Sequence, residues 1–363
     1  MRAAWLFSFA MFAIHFARAE SGAESAWREY LARSREAMDA DRNAIYAELE
    51  GERLIDWSAP HAGRGVAEFL KKPDEWFAGE EARRLAEIVC SFQTTTGGWG
   101  KGLDLQTRAR LPGERFSSGA SGWGYAGTFD NGATVSELRF LARAGFRPLL
   151  HRGLEYVLRA QFPNGGWPQV YPLMGGYHDA ITFNDTAMVN VLRLLRDVAG
   201  GRAEFAGVDA DMRARSAGAV ERGLACVLAA QIHGTGWAQQ HDARTLAPVA
   251  ARAFEPVALA SAETAGIVRF LMELDAPGPE VIAAVHGAAK WLRKVETASA
   301  SSWARFYEIG TNCPIFGERD GSVHYDVNEI SKERREGYAW FSNSPAGALK
   351  NYTKWSAKNP LKP

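Results

Sequence analysis

The chain has 363 residues, with 42 Lys+Arg against 42 Asp+Glu, 47% hydrophobic residues and three cysteines. That is ample for a buried core, and it excludes both a disordered chain and a disulfide-stapled miniprotein. Zero net charge argues against a nucleic-acid binder, while 36 Gly with 12 Trp point to loops that carry aromatic side chains.

Residues 1–19 join Arg2 to an apolar stretch that ends Ala17-Arg18-Ala19, the pattern of a secretory signal peptide cleaved before Glu20. The stretch is interrupted by His15 and is too short to span a bilayer comfortably. The expectation is an exported, soluble protein, periplasmic or extracellular, with residues 20–363 as a single domain. Cleavage leaves 40 basic and 42 acidic residues, a net charge of −2, and no membrane attachment. A monomer is expected. Cys90, Cys226 and Cys313 have no metal-ligand spacing, and the first two fall in helical patterns as buried apolar residues.

The chain then repeats itself. Gln93 precedes Trp99, Gln161 precedes Trp167, and Gln231 precedes Trp237, each by six residues, in Q-T-T-T-G-G-W, Q-F-P-N-G-G-W and Q-I-H-G-T-G-W. Each copy ends an amphipathic helix: 80–92 with Leu85, Ile88, Val89 and Phe92, 147–161 with Leu150, Leu154, Val157 and Leu158, and 215–231 with Val220, Leu224, Val227 and Leu228. After each Gly-Trp loop a second helix begins, at T-F-D-N-G-A-T-V (128–135), T-F-N-D-T-A-M-V (182–189) and A-S-A-E-T-A-G-I-V (260–268). A further helix follows at 279–295, and strand-like alternation is scarce. Helical hairpins that cannot bury their apolar faces alone pack against one another. The predicted fold is all-α, an α/α toroid with equivalent helix starts gathered at one end.

Aligning Ala133, Ala187 and Ala265 superimposes Asn131, Asp185 and Glu263, and the pair Asp130-Asn131 becomes Asn184-Asp185 in the second copy. Two readings stand. Asp130 or Ser261 could cap helix N-termini, or the acids could converge into a cluster that holds a cation, with oxygen donors that suit Ca²⁺ better than a transition metal. The tryptophans are likewise either packing between hairpins or ligand contacts in the loops. Beyond the repeats, Arg305 follows Trp303, Arg319 sits in G-E-R-D-G, and Arg252 lies in L-A-P-V-A-A-R-A-F-E. Arginines that face an acid cluster would suit a carboxylate-rich ligand, whereas isolated ones are solvated charges.

Several stretches carry a resemblance: T-F-D-N-G-A-T, Q-F-P-N-G-G-W-P-Q-V-Y-P-L, T-F-N-D-T-A-M-V-N-V-L, T-L-A-P-V-A-A-R-A-F-E and R-F-Y-E-I-G-T-N-C-P-I-F-G-E-R-D-G. From about residue 35 to 355 the chain resembles pectate lyases of polysaccharide lyase family 10. The resemblance implies an (α/α)₃ toroid and Ca²⁺-assisted β-elimination of polygalacturonate, giving 4,5-unsaturated oligogalacturonides. It implies Arg319 as the base that removes the C5 proton, and Arg305 and Arg252 as contacts to substrate carboxylates. It places Asp130 and Asp185 around calcium and the scissile sugar, with Asn131 assisting and Lys101 as a further substrate contact. Departures are Gly102 where Asn is expected, W-A-Q-Q-H in the third loop, and Ala262 in place of Ser. Three alternatives stay open: a noncatalytic pectin-binding protein, an α/α-toroid glycoside hydrolase that uses two carboxylates, and a triterpene-cyclase-like protein, for which the chain lacks a D-x-D-D motif.

Overall fold

The computed structural model describes residues 4–49, 63–117, 124–297 and 302–361, with the side chains of residues 4–21 excepted. The signal-peptide reading of residues 1–19 therefore falls outside the described side chains. Helices α1 (Ala4–Glu48), α2 (Asp74–Phe77), α3 (Glu80–Ser91), α4 (Val135–Ala144), α5 (Arg147–Ala160) and α6 (Ala187–Ala199) lead into α7 (Ala210–Ala229), α8 (Ser261–Met272), α9 (Pro279–Lys294), α10 (Lys332–Gly337) and α11 (Ser344–Lys358). The architecture is the (α/α)₃ toroid. Helices α4, α6, α8 and α11 lie side by side in one row, and α5, α7 and α9 form a second row packed against it. Among the described residues no helix is long and apolar enough to cross a membrane.

Local chemistry sets the helix ends. Glu80 and Glu81 open α3 at the positive end of its dipole. The α4–α5 corner turns at Gly145, whose φ of 79° suits a residue without a Cβ, and Pro148 then starts α5. Helix α7 begins five residues earlier than its periodicity suggests, because Asp209 caps it by accepting from Met212 N at 2.8 Å. Its buried face also differs from the expected one. Met212, Ser216, Ala219, Gly223 and Cys226 are buried together with the expected Val227, whereas Val220, Leu224 and Leu228 are only partly so. The reason is Trp167: a Cβ on Gly223 would stand 2.8 Å from its ring.

The shared geometry of the repeat is a pair of hydrogen-bonded staples. Each indole N–H donates to a carbonyl of the preceding helix: Trp99 to Val89 (2.8 Å), Trp167 to Val157 (2.9 Å) and Trp237 to Val227 (2.7 Å). All three rings are buried, so the packing reading of these tryptophans is the one the structure supports. Each glutamine Nε2 donates twice, once within its own loop and once to the next helix of the second row. Gln93 reaches Gly97 and Leu149, Gln161 reaches Gly165 and Ala219, and Gln231 reaches Thr235 and Ala284.

A fourth copy emerges that the Gln–Trp pattern does not show. Trp303 is buried and donates to Leu292 O at 2.8 Å, while Thr297 takes the glutamine's place and donates to Ser302 O. The helix that follows this loop is α11, so α9 and α11 make a further hairpin, with residues 305–340 inserted in it.

Short strands join the copies. These are β1 (Gly127–Thr128), β2 (Val170–Tyr171), β3 (Ile181–Thr182), β4 (Gln240–His241), β5 (Pro248–Val249) and β6 (Leu259–Ala260), followed by β7 (Trp303–Ala304), β8 (Phe306–Tyr307), β9 (Pro314–Gly317), β10 (Val323–His324) and β11 (Phe341–Ser342). Strands β1, β3 and β6, which precede α4, α6 and α8, pair antiparallel with β2, β4 and β8, which follow the next tryptophan. Helix α1 lies over these loops. Tyr30 donates to Ala160 O, and the buried Asp41 accepts from Thr96 N (2.8 Å) and Thr96 Oγ1 (2.5 Å). Replacing Gln161 by Met keeps the volume but leaves the Gly165 carbonyl without its donor and Arg222 Nη2 without its acceptor, each worth ~1–3 kcal/mol. Urea unfolding of Gln161→Met should show a loss of about 3 kcal/mol; a change below about 1 kcal/mol would make the staple incidental to stability.

Candidate active site

The repeat aims one residue per copy at the same place. Two positions after each tryptophan stand Lys101, Gln169, Gln239 and Arg305. Three of these backbones are fixed alike: Gln169 O accepts from Phe129 N, Gln239 O from Phe183 N, and Arg305 O from Ser261 N. The segments that enter α4 and α6 stand opposite. Asn131 and Asp185 both adopt left-handed backbone, at φ 53° and 49°, in one-turn 3₁₀ segments. Asn and Asp tolerate this conformation better than other residues with a Cβ, which accounts for the exchange of acid and amide between copies. The third copy differs, because α8 starts directly at Ser261 and Glu263 reaches the site from the helix's first turn.

These residues do not act as caps. Neither Asp130 nor Ser261 makes a side-chain capping bond, and Ser261 Oγ donates to Ala304 O instead. Lys101, Asp130, Asn131, Asp185 and Arg252 line one polar cavity of about 140 Å³, together with Gln169, Tyr177, Asn184, Gln239, Gln240 and Glu255. Asp130 is buried and ion-paired with Lys101. Asp185 is solvent-accessible, yet its carboxyl is raised above the usual range, first by partial desolvation and then by the charge of Asp130. Arg305, Lys101 and Arg252 oppose the rise.

Arg305 is tied to this group from the side. It donates to Asn184 Oδ1 at 3.0 Å and pairs with Glu263 Oε1 at 3.5 Å, and its guanidinium lies over the Tyr338 ring at 4.7 Å. Gln239 Nε2 bridges the same two acceptors. Burial lifts the Glu263 carboxyl, and Arg305 partly offsets this.

Arg252 and Arg319 both lie against Phe254, 4.7 and 5.7 Å from its ring. Arg252 holds Glu255 through Nε (2.8 Å) and Nη2 (2.5 Å), and Tyr338 donates to the same carboxylate at 2.6 Å. Burial alone would raise Glu255, but these bonds bring it below the usual range; in return they raise Arg252. Arg319, on the turn between β9 and β10, is exposed and is not among the cavity-lining residues. Its Nε and Nη2 donate to Glu333 at 2.9 and 2.8 Å, which raises it further. The structure thus gathers Lys101, Asp130, Asn131, Asp185, Arg252 and Arg305, and leaves Arg319 at the rim. Glu255, Glu333, Tyr338 and Gln239 were not singled out from the sequence. The i,i+3 spacing of Arg252 and Glu255 and the Trp+2 position of Gln239 are the signals that point to two of them.

Residues 93–302 and 294–349 match the pectic acid lyase family. The chain belongs to polysaccharide lyase family 10. It is a pectate lyase by that membership. The family 10 polysaccharide lyase from Cellvibrio cellulosa is 31% identical with a TM-score of 0.67, over 78% of this lyase and 96% of that chain. An Asp-to-Ala mutant of the Cellvibrio enzyme in complex with trigalacturonic acid is 30% identical with a TM-score of 0.67, over 80% of this lyase and 99% of that chain. A comparison with curated proteins finds no match.

The cavity also bears on a metal. Among the described residues no three His, Cys, Asp or Glu side chains cluster as a ready ligand set. Besides Glu255, which Arg252 and Tyr338 hold, the cavity offers two carboxylates, Asp130 and Asp185, beside amide oxygens, of which Gln169 Oε1 and Gln240 Oε1 are buried without a hydrogen-bond partner among the described residues. Such hard oxygen donors fit Ca²⁺ as a partial set that a ligand's own carboxylates would complete. Because Asp185 holds its proton to a higher pH than an ordinary aspartate, its charge is lost earlier as pH falls. Calorimetric Ca²⁺ titrations should therefore weaken on acidification at a pH above the usual aspartate range. Asp185→Asn should bind weakly and without that step; equal pH dependence in both proteins would rule Asp185 out as a ligand.

Proposed function

We propose that this lyase cleaves polygalacturonate by Ca²⁺-assisted β-elimination, as a single exported domain acting as a monomer. The observation that carries the reading is the meeting of Arg252 and Lys101 with Asp130 and Asp185 around one small polar cavity, with Arg305 bonded to Asn184 in its wall. The trigalacturonic acid bound to the Cellvibrio relative supports the substrate class. Ca²⁺ held by Asp130 and Asp185, with Asn131 or Asn184, would draw charge from the uronate carboxylate and so acidify the neighbouring C5–H bond.

The protein's own groups supply the remainder. Arg305, anchored by Asn184 and Glu263 and backed by Tyr338, presents its guanidinium to a substrate carboxylate. An arginine takes the C5 proton, the C–H electrons form the C4=C5 double bond, and the C4–O4 bond breaks with its electrons leaving on oxygen, which then takes up a proton. The family resemblance suggested Arg319 as this base. Placement favours Arg252, which lines the cavity with both aspartates, while Arg319 stands outside it. Either guanidinium must first lose a proton, and Glu255 or Glu333 holds that proton in place. Activity should therefore rise into the alkaline range.

One assay separates the roles. With polygalacturonate and Ca²⁺ at alkaline pH, the wild type should generate the ultraviolet absorbance of the unsaturated product. Loss of a general base typically costs ~10²–10⁴-fold in rate, so Arg252→Ala should lose kcat on this scale. Arg319→Ala should chiefly raise KM. The reverse pattern moves the base to Arg319, and reducing ends without absorbance would make the enzyme a hydrolase.

A further inference from the structure

Beside the cavity lies a second hollow of about 420 Å³, within the size of ligand sites. Lys101 and Asn131 line both, so a chain crossing the cavity can continue into it. Much of its wall is backbone, at Gly65, Gly102 and Gly132, and it holds an unusual group. Glu137, in the first turn of α4, is 5% exposed and lines the hollow, and its Oε2 is buried with no hydrogen-bond partner among the described residues.

Part of that carboxyl is explained by the helix. Thr134 and Glu137 have capping-box spacing, and the carboxyl accepts from the backbone N–H groups of Thr134 and of Glu137 itself. A cap needs one oxygen, and nothing among the described residues serves the other. A buried acceptor without a donor costs ~1–3 kcal/mol, and burial lifts this carboxyl to about 7. Both facts describe a group that gains from a donor supplied by something else.

We propose that this hollow is an additional sugar subsite of the cleft, in which the Glu137 carboxyl is met by a pyranose hydroxyl of the polyuronate chain. This rests on the pectate reading. A hydroxyl suits the position because it can donate to a carboxylate or accept from a carboxylic acid. An ionised uronate group does not, so the ring turns its carboxylate toward Lys101 and Arg64, which also line the hollow. The glycine wall lets the ring approach the backbone closely.

Gly65 gives the test. Its φ is ordinary, and the nearest atom to a Cβ placed there would be Glu137 Oε1 at 3.9 Å, so a side chain at this position fills the hollow without strain. Trigalacturonate and hexagalacturonate are titrated calorimetrically into the Arg252→Ala protein, whose hollow is intact, and into the same protein carrying Gly65→Leu. The hexamer should bind at least tenfold more tightly than the trimer in the first and about equally in the second. Glu137→Gln, which can keep the cap, should lose part of that preference with an unchanged melting temperature. A hexamer preference that survives Gly65→Leu, or no preference at the outset, overturns the subsite. Absence of unsaturated product from the wild type counts against the lyase chemistry alone, since binding is read separately.

Discussion

The structure depends on one amide group used several ways. In Gln93, Gln161 and Gln231 the side-chain nitrogen satisfies a carbonyl of its own loop and one of the next helix. In the first two copies the oxygen accepts an arginine as well, Arg152 or Arg222. A loop carbonyl away from water needs a donor, and here a single side chain both supplies it and, through its second bond, fixes the spacing of neighbouring hairpins. The indole N–H of each following tryptophan locks the loop back onto its own helix. With both ends of the loop pinned, the residue two positions on has little freedom in where it points.

That constraint turns a repeat into a site. Four copies of one backbone path deliver Lys101, Gln169, Gln239 and Arg305 to the same end of the toroid. The left-handed positions of Asn131 and Asp185 face them. Electrostatics then divides the labour. Lys101 partners Asp130, Glu255 partners Arg252 and Glu333 partners Arg319, while Asp185 is repelled by Asp130 and only partly compensated by Arg305, Lys101 and Arg252. Within the cavity the Asp185 carboxylate accepts, among the described residues, only from Asn184 Nδ2, at 3.2 Å, which leaves it well placed to gain from a bound cation.

Much of this was legible in the sequence, for identifiable reasons. The Gln–Trp spacing reports a hydrogen-bond geometry, so three hairpins and their order could be read directly. The fourth was hidden because Thr297 replaces glutamine, and because the insertion separates α9 from α11. Period alone misplaced the buried face of α7, where Gly223 makes room for Trp167 and outweighs the valine and leucine pattern. The cavity residues Lys101, Asp130, Asp185 and Arg252, and Arg305 beside them, were anticipated, whereas most of their partners were not. Tyr338 and Glu255 meet across 83 residues of chain, and no local spacing announces such a contact.

The inserted stretch between Trp303 and α11 has its own small core, in which Phe306, Ile315, Phe316, Ile330 and Trp340 pack with Ala258 and Ala260. It meets the toroid through β6 and β8 and through β7 and β11, and it brings Arg319 on a two-stranded tongue. The three Gly-Trp loops that line the cavity must keep their shape together, since each is stapled to the next helix by its glutamine. The tongue lies outside that chain of staples. A change on this tongue can therefore reshape the rim of the cavity while the toroid that supports it stays the same.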